Sequence, residues 1–474
     1  MNNWNSTSAA PERRPRHAEF HFLSSALQGH TLQLHYALRG GPDPDQSFCE
    51  RLTLPAGLPP PNRQDPAIQA LVRACHLAFG VSYYKAALPP QVVLSAPGYD
   101  RLTLQELAFW DLLYSDGLGE FYFRNGLPVP ADVGFLRQAR PAAARDPAAN
   151  DASANRAEAP TERALVLIGG GKDSGLVADM VQTSGVAAAA LSLGDSPWMA
   201  RSAAAAGMTL HRIGRQIDPA LLTLNAQGAW NGHVPISACI AAVACLVART
   251  GGFTDVLVGN ERGANDANVV WQGRPINHQW SKSSRFEQAF QHWSHYAVGP
   301  WPRYASVLRP LSEIRIAAAF AQCPAQHAHF TSCNRNFRQS PGARPARWCG
   351  VCAKCVFVAL ILAPHLDAAR TATIFDTGIL TNPENRPHLL ALLGLADVKP
   401  WDCVGTAQEC WLSLLALQRQ GRLPAELAAL AAQAPATLLG NGFDRAWAAE
   451  WASQPSPDLS PAWRARLDAY LGTA

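Results

Sequence analysis

Residues Leu165-Val166-Leu167-Ile168-Gly169-Gly170-Gly171-Lys172-Asp173-Ser174 decide the fold of this chain. Four branched apolar residues predict a short buried strand, and three glycines predict a tight turn. We expect a helix after the turn, with Ser174 as its N-cap. The apolar residues that support this helix by their spacing are Leu176, Val177, Met180 and Val181. The stretch therefore predicts a strand, a loop and a helix in that order.

This loop has the composition of an anion site. Its backbone N–H groups would meet at a helix N-terminus, where partial positive charge and free donors favour an anion. Lys172 can add a cation and Ser174 a hydroxyl, whereas Asp173 suggests a bound cation or a hydrogen bond to a ligand. The alternative is a structural glycine-rich turn that only begins a helix.

The order and spacing of the loop residues exclude the phosphate loop of ordinary nucleoside triphosphatases. The stretch instead resembles the Ser-Gly-Gly-x-Asp-Ser pyrophosphate loop of the ATP pyrophosphatases, with Gly169 in place of the first serine. The resemblance implies an α/β fold with an open parallel sheet of the adenine-nucleotide α-hydrolase-like (HUP) type. It also implies that ATP and Mg²⁺ bind, and that AMP and pyrophosphate form. The nucleotide-binding residues that it implies are Gly169, Gly170, Gly171, Lys172, Asp173 and Ser174.

Composition places the chain among globular proteins. It has 474 residues, of which 48% are hydrophobic and 16% charged, so it is long enough for about two or three domains. A net charge of +4 is too small to indicate a nucleic-acid partner. We expect no signal peptide in the polar residues 1–16 and no membrane insertion, because the longest apolar stretches are shorter than a bilayer requires.

The pattern along the chain predicts a disordered tail (1–16), an N-terminal α+β domain (17–140) and a flexible linker (141–162). An ATP pyrophosphatase α/β domain (163–332) and a zinc-binding, helical C-terminal region (333–474) follow. Strands and helices alternate in the α/β domain, which is typical of a parallel sheet. The predicted strands after the loop are 186–193, 208–213 and 255–259, and the predicted helices are 197–206 and 235–250.

A second polar loop, residues 259–265, follows the last predicted strand. Ligands of open α/β sheets bind beyond the carboxyl ends of strands, so this loop should face the same crevice as the glycine loop. Arg262 can hold a phosphate or carboxylate, Glu261 can bind Mg²⁺, and Asn260 is placed with the nucleotide-binding residues. The alternative is a surface turn with an ordinary ion pair.

Other side chains are candidates for proton transfer. His233 precedes the predicted helix 235–250, Cys239 lies within it, and Lys282 belongs to the polar loop 278–283. His233 can equally cap or pack against the helix. The sequence does not choose among these residues and Glu261.

The cysteines indicate a metal site. Cys349-x-x-Cys352-x-x-Cys355, with Cys333 upstream, offers four thiolates in one segment, which is typical of a closed structural zinc site. An iron–sulfur cluster and isolated buried cysteines are the alternatives, and Cys333 is the least constrained ligand because its spacing is long. Clustered thiols also suit a reducing cytoplasm.

The cysteine segment resembles that of 7-cyano-7-deazaguanine synthase, but a larger part of the chain is similar to the UDP-N-acetylmuramoyl-L-alanyl-L-glutamate epimerase family of peptidoglycan synthesis. The segments that carry this resemblance are Ala74–Ala78, Ser82–Lys85, Gly169–Ser174, Asn231–Pro235, Gly259–Arg262, Cys349–Cys355 and Lys399–Thr406. The family implies an ATP- and Mg²⁺-dependent inversion of the terminal L-Glu of UDP-MurNAc-L-Ala-L-Glu, with AMP and pyrophosphate as products.

The consumption of ATP by an isomerase has a chemical reason. An ionised α-carboxylate makes the Cα proton very weakly acidic, whereas adenylylation makes that carboxyl electron-withdrawing. One group must then remove the proton and another must return one on the opposite face.

Two alternative functions remain for this sequence: another adenylylating enzyme with amide, nitrile or thio-transfer chemistry, and a non-catalytic ATP-binding regulator.

Overall fold

The computed structural model describes residues 14–139, 160–337, 346–375 and 378–473. The chain divides into two compact units. The first contains residues up to 157 together with 213–250 and 293–300, and the second contains the rest. Most of the predicted tail and most of the predicted linker lie outside the described residues.

The strands in the described residues are β1 (Glu19–Gln28), β2 (Thr31–Arg39), β3 (Gln46–Thr53), β4 (Gln91–Leu94), β5 (Arg163–Leu167), β6 (Ala187–Leu193), β7 (Leu210–Gln216), β8 (Asp255–Val258), β9 (Val269–Trp271), β10 (Arg274–Ile276) and β11 (Arg303–Ser306). The helices are α1 (Pro66–Phe79), α2 (Val81–Tyr84), α3 (Leu104–Ser115), α4 (Gly119–Arg124), α5 (Lys172–Thr183), α6 (Pro197–Ala205), α7 (Pro219–Ala226), α8 (Ile236–Gly251), α9 (Ser284–Ala297), α10 (Glu313–Ala321), α11 (Pro324–His327), α12 (Ala353–Leu362), α13 (Ala368–Ile374), α14 (Arg386–Leu392), α15 (Ala407–Arg419), α16 (Ala428–Ala431), α17 (Asn441–Trp451) and α18 (Pro461–Thr473).

The first unit is built on a mostly antiparallel sheet. β2 pairs antiparallel with β1 and β3, and β4 pairs parallel with β1. The end of β7 adds to β3, with Thr53 opposite Gly214. Strands β1 to β4 supply the β part of the α+β domain that the sequence predicts for residues 17–140. Aromatic side chains of β1 and β2 are fully buried, among them Phe20, Phe22 and Tyr36.

The second unit contains the parallel sheet that the sequence predicted. β5 lies between β6 and β8, β8 also pairs with β11, and all three pairings are parallel. Ala164, Leu165 and Val166 of β5 are fully buried, as expected for a strand covered on both faces. The predicted strand 208–213 is displaced to β7, which begins in the second unit and ends in the first.

The C-terminal residues of the second unit are mainly helical, as predicted. Every residue of α12 is buried, and apart from Lys354 the helix is apolar on all sides. Residues 213–250 and 293–300, which the sequence analysis placed with 163–332, cluster instead with the first unit. Among the described residues, no helix combines the length and the hydropathy that crossing a membrane requires.

Candidate active site

The glycine loop joins β5 to α5 in the second unit. Gly170 has φ +80°, a left-handed conformation that favours glycine, and its carbonyl accepts a 2.8 Å hydrogen bond from the Thr331 N–H. The prediction that Ser174 caps the helix is wrong, because the N-cap of α5 is Gly171, three residues earlier. Ser174 lies in the first turn, where its hydroxyl donates to the Gly171 carbonyl at 3.1 Å.

Lys172 points into the protein rather than to solvent. Its side chain is fully buried and forms ion pairs with the carboxylates of Asp173 and Glu313. Burial lowers the pKa of Lys172, but these two carboxylates outweigh burial and hold the pKa above its usual value. The ammonium group therefore stays charged and links the glycine loop to the start of α10.

Three carboxylates meet beside the loop. Asp173 follows β5, Glu261 follows β8 and Glu313 follows β11, so each comes from the carboxyl end of one of three adjacent parallel strands. One oxygen of each group lies within 4.8 Å of the others. The expectation that the loops after β5 and β8 share one edge of the sheet is thereby confirmed.

Gly259 makes the close approach of these two loops possible. A Cβ at this position would lie 3.0 Å from the carbonyl oxygen of Asp173 and 3.2 Å from a methyl group of Val177. Any side chain there would push the end of β8 away from the first turn of α5. The glycine thus allows Glu261 to approach the glycine loop.

Glu313 carries a carboxylate that the protein does not fully satisfy. Its side chain is 1% exposed, and its Oε2 pairs with Lys172. Its Oε1 has no hydrogen-bond partner among the described residues. Burial raises the pKa of Glu313 to about 8, with Asp173 and Glu261 adding to the rise and Lys172 opposing it. A buried carboxylate oxygen without a hydrogen-bond partner requires a proton or a cation.

Asp173 has the opposite electrostatic character. Burial raises the pKa of this carboxyl, but Lys172 and then Lys354 outweigh burial and hold it below its usual value. Asp173 is therefore ionised at neutral pH. A cluster with one firmly ionised carboxylate and one unsatisfied oxygen can accept a divalent cation.

Asn260 and Arg262 flank Glu261. Asn260 is 8% exposed, and its carbonyl accepts a 2.6 Å hydrogen bond from the Ser306 hydroxyl. Arg262 forms an ion pair with Glu450, the ordinary pairing that the sequence analysis kept as an alternative. Its Nη1 is nevertheless buried without a hydrogen-bond partner among the described residues, so one donor remains for an anion.

A buried ion pair that the sequence did not reveal fixes the backbone of this loop. Arg309 and Glu287 pair at 2.9 Å, and both are buried. Arg309 also donates to the Glu261 carbonyl at 2.7 Å and to the Lys282 carbonyl. It thereby holds the segments of Glu261 and Lys282 in register with the end of β11.

Lys282 lies at the edge of the carboxylate cluster. Its Nζ donates to Cys403 Sγ at 3.1 Å. Burial lowers the pKa of Lys282, but the Cys403 thiolate and Glu261 outweigh burial and hold it above its usual value. Lys282 is therefore suited to be a fixed cation rather than a base. Cys403 belongs to the segment Lys399–Thr406, which resembles the epimerase family, but the sequence pattern predicted no role for this cysteine.

His233 and Cys239, the other candidates for proton transfer, belong to the first unit. His233 Nδ1 lies 3.1 Å from Glu120 Oε2. Cys239 is 1% exposed and donates to the Ala78 carbonyl at 3.2 Å. Burial raises the pKa of this thiol to about 12, with Arg215 opposing the rise. A protonated, enclosed thiol is poorly suited to act as a base.

The four predicted metal ligands form one cluster in the second unit. The sulfur atoms of Cys333, Cys349, Cys352 and Cys355 lie within 4.8 Å of one another. The Sγ atom of Cys355 lies 3.8 Å from that of Cys349 and 3.4 Å from that of Cys352. A tetrahedron with zinc–sulfur bonds of about 2.3 Å has edges of about 3.8 Å. The cluster, which includes Cys333, therefore fits a tetrahedral ion.

Comparison with known proteins places this arrangement in a family. A family model described as the MurL N-terminal domain matches residues 12–307, and one described as the MurL C-terminal domain matches residues 329–438. A protein of Xanthomonas oryzae pv. oryzae named UDP-N-acetyl-alpha-D-muramoyl-L-alanyl-L-glutamate epimerase is 38% identical, over 82% of this chain and 83% of its own length. The chain belongs to this epimerase family.

Two further relatives carry the same name. The Salinispora tropica protein is 36% identical over 81% of this chain and 81% of its own length. The Micromonospora sp. protein is 36% identical over 85% of this chain and 87% of its own length. The family resemblance predicted from the sequence is confirmed, whereas the HUP-type fold stays a prediction.

Proposed function

We propose that this chain inverts the terminal L-Glu of UDP-MurNAc-L-Ala-L-Glu to D-Glu, after activating its α-carboxyl by adenylylation with ATP. Membership in the epimerase family makes the chain an isomerase of peptidoglycan synthesis, and the name of its relatives indicates the substrate. The observation that carries the ATP step is the carboxylate cluster of Asp173, Glu261 and Glu313 at the end of the glycine loop.

The donor set fits Mg²⁺. This ion prefers carboxylate oxygens and phosphates as ligands, and the buried Glu313 Oε1 lacks any partner among the described residues. Asp173, Glu261 and Glu313 would hold it. When bound, Mg²⁺ would supply positive charge to the phosphate oxygens next to the P–O bond that breaks when pyrophosphate leaves.

The remaining residues of the second unit have complementary roles. The backbone N–H groups at the start of α5 bind phosphate oxygens, since they lack partners within the helix. Lys282 contributes a fixed positive charge beside the cluster. Once the α-carboxyl is adenylylated, its charge is neutralised and the Cα proton becomes acidic enough to leave. We place the reaction in the cytoplasm, where reduced cysteines persist.

A pyrophosphate-release assay tests this proposal. With ATP and Mg²⁺, UDP-MurNAc-L-Ala-L-Glu should stimulate release of AMP and pyrophosphate, whereas free L-Glu should not, because it lacks the acyl group and the nucleotide. Absence of stimulated release would contradict the adenylylation step. Release without any change of configuration would leave an adenylylating enzyme with a different product.

We also propose that the cysteine cluster holds a structural zinc ion. A set of four thiolates leaves no open position for water, which is characteristic of a structural site. Elemental analysis of protein purified without chelators should find about one zinc per chain. Cys352→Ser should lose the metal and lower the melting temperature, because a structural zinc contributes directly to folding.

The control for this experiment is Cys49→Ser, which changes a half-buried cysteine of the first unit that is not part of the cluster. It should retain the zinc of the unmodified protein. Iron in place of zinc would indicate the alternative cluster, and protein without any metal would refute the site. Retained zinc in Cys333→Ser would assign the fourth ligand to another residue.

A further inference from the structure

Cys403 stands among positively charged groups. Its side chain is half-buried, just before α15. Lys282 Nζ donates to its sulfur at 3.1 Å, and His278 forms a side-chain hydrogen bond with the same sulfur. Lys354 donates to the backbone carbonyl of Cys403. Three titratable side chains from two separate segments, the loop 278–283 and α12, thus converge on one cysteine.

These neighbours set the protonation state of the thiol. Burial raises the pKa of Cys403, but Lys282 and His278, with a contribution from Lys354, outweigh burial and lower the pKa to about 6. For the enclosed Cys239, in contrast, the pKa is raised to about 12. Cys403 is therefore a thiolate at neutral pH, and a thiolate is the reactive form of cysteine.

The thiolate belongs to the same site as the carboxylate cluster. Lys282, which contacts Cys403, also interacts electrostatically with Glu261 and Asp173. Lys354 likewise connects the two places, because it donates to the Cys403 carbonyl and lowers the pKa of Asp173. Two lysines that contact Cys403 thus also interact with the cluster at which we propose that the carboxyl group is activated.

We propose that the Cys403 thiolate is the base that removes the Cα proton of the adenylylated glutamate, and that Lys282 and His278 are its positioning residues. This proposal rests on the proposed function. The Cα–H bond breaks and an S–H bond forms, while the electron pair stays on Cα and delocalises onto the activated carbonyl. A proton from a solvent-exchanging donor on the opposite face completes the inversion, and water then releases AMP from the adenylate.

The protonation states of the alternatives support this assignment. Cys239 and Lys282 both hold their protons at neutral pH, as the directions of their pKa shifts show. Glu261 contributes its oxygen to the carboxylate cluster that we assign to Mg²⁺. A thiolate with a pKa near the operating pH is the more effective base.

The first test separates activation from proton removal. In deuterated water with ATP and Mg²⁺, Cys403→Ser should release pyrophosphate in a single turnover within a few-fold of the unmodified protein. Its rate of deuterium uptake at Cα and of inversion should fall by about 100-fold or more. Cys49→Ser, the control, should match the unmodified protein in both measurements. Inversion by Cys403→Ser at the unmodified rate would overturn the proposal.

Failure of the proposed function gives a different result, because the unmodified protein itself would then release no pyrophosphate or invert no glutamate.

A second measurement does not depend on enzymatic activity. The rate at which iodoacetamide alkylates Cys403, followed by mass spectrometry, should rise with pH around a midpoint near 6. In Lys282→Met that midpoint should move upward by at least about one unit. A midpoint near the ordinary value of about 8.5 in the unmodified protein would contradict the proposal.

Discussion

Replacing Asp173 by asparagine should reduce pyrophosphate release by about 100-fold or more without unfolding the protein. The physical reason is charge. Lys172 and Lys354 keep Asp173 ionised despite its burial, so this side chain brings a negative charge to a bound cation. Asparagine keeps the shape of the side chain but removes that charge and leaves Lys172 paired with Glu313 alone.

Two measurements make this result interpretable. Circular dichroism and the melting temperature show whether the variant folds, since Asp173 also pairs with the buried Lys172. Asp367→Asn is the matched control, because Asp367 belongs to the same unit, does not follow a strand of the parallel sheet and has a side chain that is 63% exposed. It should release pyrophosphate at the unmodified rate. Normal release by a folded Asp173→Asn would remove the carboxylate cluster from the mechanism.

Replacing Glu261 by glutamine removes a different negative charge from the same carboxylate cluster. Because Glu261 lies on a loop whose backbone is held by Arg309, a Glu261→Gln variant keeps its position while it loses one candidate ligand. We expect Asp173 and Glu261 to act by binding the cation, whereas we expect Cys403 to act by removing the Cα proton. The two classes of variant therefore affect different steps.

Local sequence patterns predicted much of the second unit. The glycine loop between a buried strand and an apolar-periodic helix, and three cysteines at spacing of three, are short-range features, so their structural consequences could be derived. The fourth cysteine, Cys333, could be named because it lies in the same segment. The exact start of α5 could not be predicted, since Gly171 and not Ser174 precedes the helix.

The remaining site residues depend on contacts distant in sequence. Lys172 pairs with Glu313, which is 141 residues away, and this contact cannot be derived from the local sequence around the glycine loop. Cys403 is 121 residues from Lys282, which controls its protonation. Arg309 has no sequence signal at all, because a buried arginine is recognised only by its partner, Glu287. These contacts form only in the folded chain, where residues that are distant in sequence come together.

The exchange of the Cα proton tests the central claim, that ATP activation precedes epimerisation. The substrate UDP-MurNAc-L-Ala-L-Glu is incubated with the protein in deuterated water, with and without ATP and Mg²⁺. The configuration and deuterium content of the terminal glutamate are then measured together with AMP. With ATP, we expect D-Glu that carries deuterium at Cα and an accumulation of AMP; without ATP, we expect neither exchange nor inversion. Inversion that proceeds equally well without ATP would contradict the account, because the glycine loop and its carboxylates would then have no part in the reaction.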